Sequence, residues 1–125
     1  MATDLKFTKD HEWLRVETGN IAVVGITDYA QSQLGDIVYV DIPTVGENLN
    51  AGDTFGAIEA VKTVADLFLP VGGKVLELNS ELDGAPQLVN QSPYEQGWIV
   101  KLEMSHPQET AQLLNEADYK KLIGE

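Results

Sequence analysis

TFGAIEAVKTVADLFLPVGGKVLELN, residues 54–79, is the most regular part of the chain. It holds two short β-type runs, TFGAIEAV (54–61) and DLFL (66–69), around a bend at Val61-Lys62-Thr63. Pro70 stops the second run, Gly72-Gly73 read as a turn, and KVLELN (74–79) alternates polar and apolar residues. Runs this short, rich in β-branched residues and bounded by Gly and Pro, are strands rather than helices. The same grammar extends outward in both directions. HEWLRVE (11–17) and NIAVVGI (20–26) flank Thr18-Gly19 as a hairpin, and DIVYVDI (36–42) stops at Pro43. Asn50-Ala51-Gly52-Asp53 is a turn signal, and WIVKLEM (98–104) follows the loop SPYEQGW. Seven short strands with such punctuation predict a mainly β sandwich or barrel.

Two helical pieces interrupt the strands. Thr27 can cap a short internal helix over DYAQSQL, with Asp28 in its first turn and Gly35 as its stop. Near the C-terminus, Ser105 with Gln108 three residues on resembles a capping box, with Pro107 tolerated early. Asn115 restarts a second helix, ADYKKLI, stopped by Gly124. Leu113, Leu114, Tyr119, Leu122 and Ile123 would dock this C-terminal helical segment, about 106–124, on the sheet. With no low-complexity linker, the 125 residues read as a single domain, 1–125.

Composition narrows the function. Eight basic against twenty acidic residues give a net charge of −12, which repels phosphate backbones and argues against nucleic-acid and anionic membrane partners. No apolar run approaches the roughly 18 residues of a membrane span. The N-terminus, MATDLKFTKDHEW, lacks the basic and apolar regions of a secretory signal, so a cytoplasmic protein is expected. The absence of cysteine excludes disulfides, thiolate metal sites and cysteine nucleophiles. His11 and His106 are far apart, with no metal-site spacing, and no phosphate loop or nucleophile elbow is present. Carboxylates are too abundant for any pair to be informative. The chain does not read as an enzyme.

One residue stands out by isolation. Lys62 is the only basic residue between Arg15 and Lys74, with Glu59 three positions before it and Asp66 four after. Turns normally take Gly, Asn, Asp or Pro, which relieve backbone strain. Taken alone, Lys62 is either a solubilising residue that blunts a turn or an amine presented to another enzyme.

IEAVKTVADLFLPVGGKVLELN (58–79), preceded by GITDYAQSQLGDIVYVDIPTVG (25–46) and followed by LVNQSPYEQGW (88–98), closely resembles the glycine cleavage system H protein family. The similarity runs from about Leu5 to Tyr119, through several separated motifs in the family's order. It implies a lipoyl-type hybrid barrel-sandwich with the modified lysine on a hairpin tip. Lys62 would carry lipoic acid in amide linkage. Glu59 and Gly73 match positions associated with recognition by lipoate-attaching enzymes; a bulkier residue at Gly73 should slow attachment with the fold largely intact. Glu12, Tyr29 and Asp66 match positions near the loaded arm, where a carboxylate could hold a protonated amine. The sequence departs from common family residues at Tyr29 (often histidine), Ala60, Thr63, Ala65 and Gly72. These are small changes around an intact Val61-Lys62, so modification is expected to be unaffected.

The resemblance implies a non-catalytic carrier, acting as a monomer. It would take the aminomethyl group of glycine from a PLP-dependent glycine decarboxylase to a tetrahydrofolate-dependent aminomethyltransferase. Dihydrolipoamide dehydrogenase, with FAD and NAD, would reoxidise the arm. The dithiol would supply the sulfur that the sequence lacks. The nearest alternative is a lipoyl relay protein donating lipoyl groups to 2-oxoacid dehydrogenases. A biotin carrier fits less well, because methionines usually flank its lysine. An unmodified binding module would leave Lys62 as an ordinary surface residue, and a small hydrolase has only the carboxylates in its favour.

Overall fold

A computed structural model of the chain describes residues 5–124. The first four residues, part of the N-terminal stretch read above for a leader, and residue 125 lie outside the described residues. Two antiparallel sheets carry the fold. The larger has six strands in the order β1 (Lys6–Phe7), β2 (Glu12–Thr18), β3 (Ile21–Ile26), β9 (Val100–Met104), β8 (Gly73–Leu78) and β5 (Asn48–Leu49). The smaller orders β4 (Ile37–Asp41), β6 (Thr54–Ala60) and β7 (Val64–Phe68). The seven strands read from the sequence are all present. The two-residue strands β1 and β5 are too short to leave an alternating pattern and were not anticipated.

Register explains the core. Leu14 pairs with Val24, Val24 with Val100, and Leu102 with Val75, all fully buried, so one face of the large sheet is a continuous apolar surface. Phe55, Ile58 and Leu67 of the small sheet belong to the same buried cluster. Each such side chain contributes about 1.5–3 kcal/mol on burial. Trp13 and Val23 belong instead to a second cluster with Leu5, Phe7 and Tyr119, so the start of β2 is buried on both faces. Trp13 Nε1 donates to the Pro93 carbonyl at 2.9 Å, tying the SPYEQGW loop to β2.

The helices follow their caps. In α1 (Asp28–Leu34), Thr27 Oγ1 accepts from the Ala30 amide at 3.1 Å, and Gly35 ends the helix at φ +84°. In α4 (Glu116–Leu122), Asn115 Oδ1 accepts from the Asp118 amide at 2.8 Å. The Ser105 capping box does not form. A 3₁₀-helix, Pro107–Gln112, starts after His106, and no side chain caps it. Proline holds the preceding residue in extended conformation, which moves the helix start past Ser105. Tyr119 is buried, but Leu122 is half exposed and does not dock. Two single-turn helices, α2 (Glu81–Gly84) and α3 (Leu88–Gln91), were also unforeseen, being shorter than one period of an amphipathic pattern.

Candidate functional site

The Lys62 hairpin is built by β6 and β7. Glu59 pairs with Val64, and the Ala60 amide donates to the Thr63 carbonyl at 2.8 Å, leaving Val61, Lys62 and Thr63 exposed at the tip. The Val61 amide donates to the Asp36 carbonyl at 3.1 Å, so the tip is tied to the chain entering β4. Asn90 of α3 supports that segment: its Oδ1 accepts from the Ile37 amide and its Nδ2 donates to the Gly35 carbonyl and Gln31 Oε1, each at 2.9 Å. None of the ion pairs among the described residues engages Lys62. Its amine faces water, next to side chains of Val61 and Val64 that are 70% and 60% exposed. Glu59 sits in one cross-strand row with Tyr39 and Val64.

Gly73 lies elsewhere. It opens β8 in the large sheet, pairing with Leu49 and Met104, and is not a turn residue. A Cβ there would fall on the Glu103 carbonyl oxygen and within 3.0 Å of Met104 Cα, so glycine is required by close strand approach. The expectation that bulk at Gly73 spares the fold is therefore corrected. Gly73→Ala should destabilise the protein by about 1–3 kcal/mol, because backbone rather than a flexible side chain must move. Urea unfolding would check this; an unchanged midpoint would contradict the packing argument.

Glu12 and Asp66 share a cleft of about 190 Å³, between the start of β2 and strand β7. His11 stands beside them, and Leu34, Ile26 and Ile58 supply apolar lining. Asp66 is exposed, whereas Glu12 is only 3% exposed. Glu12 Oε2 accepts from the Phe68 amide at 2.9 Å, which belongs to an edge strand, so one carboxyl joins the two sheets. Thr8 Oγ1 accepts from the amides of Asp10 and Glu12, leaving its proton to donate to Glu12 Oε1 at 3.2 Å. Burial raises the Glu12 pKa from 4.5 to about 8; the bonds from Phe68 and Thr8 oppose that rise. Tyr29 lines a neighbouring pocket with Asp28, Tyr94 and Tyr119, and its ring lies against His11, 4.9 Å between centroids. The structure thus brings Glu12 and Asp66 together, with Tyr29 behind the His11 wall. Thr8, Phe68 and Asn90 were not read from the sequence, because two act through backbone partners and Thr8 through local turn bonds. No group of His, Cys, Asp and Glu able to hold a metal ion occurs among the described residues.

Comparison with known proteins places this geometry. A family model described as "Glycine cleavage H-protein" matches residues 5–125. The chain belongs to the glycine cleavage H-protein family. It is 54% identical over 121 residues to the glycine cleavage system H protein of Opitutus terrae, covering 97% of this chain and 95% of that protein. The crystal structure of a glycine cleavage system H protein from Mycobacterium marinum superposes with a TM-score of 0.89 at 33% identity, over 100% of both chains. The two sheets are thus the lipoyl-type barrel-sandwich of the H-protein family. Its function is that of the H-protein family: the lipoyl carrier of the glycine cleavage system, a carrier subunit and not a catalyst. The lipoyl-relay alternative is not favoured. Among the described residues, no helix is long and apolar enough to cross a membrane.

Proposed function

We propose that Lys62 is the lipoyl-bearing residue and that the Glu12–Asp66 cleft receives the arm when it carries an amine. The observation that supports this most is the hairpin tip: an exposed lysine, in no ion pair among the described residues, on a turn that is tied to the chain entering β4 through Asp36 and buttressed by Asn90. A modifying enzyme needs a free amine at a defined position, and this turn offers one. When bound, the lipoyl group supplies a dithiol–disulfide couple that accepts the aminomethyl group of glycine. The chain supplies the tether, the shelter and the docking surface.

In the cleft, Asp66 at the rim meets an incoming ammonium first. Glu12, deeper and held by Phe68 and Thr8, faces the same space with its orientation already fixed. A carboxylate bonded to the ammonium contributes about 1.5–3 kcal/mol where water is partly excluded. The partners in this reading are the PLP-dependent glycine decarboxylase, the tetrahydrofolate-dependent aminomethyltransferase, dihydrolipoamide dehydrogenase and the lipoate-attaching enzymes. The chain acts as one cytoplasmic, monomeric carrier domain. Its tethered arm raises the local concentration of the carried group at each partner.

Intact mass of protein from its native host, with and without lipoate synthesis, tests the reading. A mass increase of one lipoyl group that disappears without synthesis is expected, and absence of any increase would contradict it. Glu59 occupies the row beside the tip, where an attaching enzyme must approach. Glu59→Ala should slow attachment about tenfold, the loss of one charge-assisted contact, while circular dichroism stays unchanged. Equal attachment rates would remove Glu59 from recognition.

A further inference from the structure

His11 is the one non-glycine residue with positive φ among the described residues, at +68°. A side chain rarely tolerates that conformation, which persists only where the surroundings hold it. Here they do. The His11 amide donates to the Thr8 carbonyl at 3.1 Å, and its carbonyl accepts from the Thr27 amide at 3.0 Å. Its Nδ1 lies 2.9 Å from the Tyr119 hydroxyl, which is also 2.7 Å from Thr27 Oγ1. Tyr119 comes from α4, more than a hundred residues away, and its ring is fixed by stacking on Phe7 at 4.7 Å and 10°. One hydroxyl thus joins the C-terminal helix, the cap of α1 and the residue before Glu12.

We propose that Tyr119 is the positioning residue of the cleft: its hydroxyl holds His11 in the left-handed conformation that delivers the Glu12 carboxyl to the Phe68 amide. The backbone reversal at His11 sets the direction in which β2 begins, and Glu12 is the first residue of that strand. The main core between the sheets contains no residue of α4. The helix lies against β1, buries Tyr119 in the second cluster with Phe7 and Trp13, and sends one polar group toward the cleft wall. Its contribution to carrier function is therefore geometric, acting on Glu12 through His11. Only the final consequence, a longer-lived load on the arm, rests on the function proposed above.

The test compares Tyr119→Phe with the double variant Tyr119→Phe/His11→Gly, both without lipoate. Phenylalanine keeps the stack on Phe7 and removes only the hydroxyl; glycine adopts positive φ without support. Amide hydrogen exchange at Phe68 and Thr27 should accelerate about tenfold in Tyr119→Phe, the scale of one lost hydrogen bond. The Ile99 amide, bonded to the Val24 carbonyl in the core, should keep its rate. His11→Gly should return Phe68 to within about twofold of wild type, since the conformation no longer needs holding. Uniform acceleration of all three amides, no acceleration, or no rescue by glycine would each overturn the proposal. A second arm measures formaldehyde release from protein loaded with the aminomethyl group. Tyr119→Phe should speed release with lipoylation unchanged. Glu12→Gln/Asp66→Asn serves as its control. If that control releases no faster than wild type, the cleft reading fails, whereas the exchange result on the unmodified protein still decides the role of Tyr119.

Discussion

Lys62→Arg is expected to fold as wild type and to accept no lipoyl group. The substitution falls at an exposed tip whose hydrogen bonds are all made by backbone, so stability should change by less than about 0.5 kcal/mol. A guanidinium keeps the charge but cannot form the amide. Intact mass after incubation with a lipoate-attaching enzyme should therefore show no increment, and peptide mapping of wild type should find the group at Lys62 alone. Recovery of the lipoyl group on Lys74 in the variant would reassign the site. Lys74 is the instructive comparison because it is also exposed, yet it lies within the β8 ladder, paired with Asn48 and Glu103. An extended strand in mid-sheet presents its side chain differently from an isolated turn.

The second large effect concerns pH. Glu12 is held neutral in the folded protein up to about pH 8, whereas in the unfolded chain it ionises near 4.5. Between those values the folded state binds the extra proton, so raising the pH favours unfolding. Stability from this residue is complete below about 4.5 and is lost progressively as pH rises toward 8. The full loss is of the order of 5 kcal/mol, since each unit between the two values is worth about 1.4 kcal/mol. Glu12→Gln, a neutral substitute of the same shape, should abolish that slope while keeping the acceptor for Phe68. Denaturant unfolding between pH 5 and about 8.5 checks both curves; parallel curves would show that Glu12 does not titrate in this window. An ammonium entering the cleft should draw the Glu12 pKa down, because an adjacent cation favours the carboxylate. Receiving the load would then release a proton.

The strand pattern was legible because alternation survives in KVLELN, because IAVVGI is a short β-branched apolar run, and because Gly and Pro mark such ends. The caps at Thr27 and Asn115 were legible for the same reason: each is a local bond between a short side chain and an amide a few residues away. Gly73 shows the limit. Two adjacent glycines look like a turn in one dimension, and only the arrival of Glu103 from a distant strand shows that one of them is there to let backbones meet. Lys62 stands out by its isolation, which leaves two readings open, and only the resemblance favours the modified one. The resemblance paired Glu12 with Asp66, which line one cleft, but the bond from Glu12 to Phe68 and its raised pKa depend on a strand 56 residues away. His11 gave no warning at all, since left-handed histidine has no sequence signature.

The bond from the Val61 amide to the Asp36 carbonyl acts on one flank of the hairpin only. The small sheet ends at β7 on the other flank, so the tip is anchored toward β4 and open toward the cleft. On the function proposed above, a group carried on Lys62 would swing from a fulcrum tied at one flank. Its reach is a fixed radius, and the sector it sweeps is the open one. Each enzyme that handles the cargo must bring its own reactive centre onto the same arc. Such a carrier would impose a common docking distance on its partners.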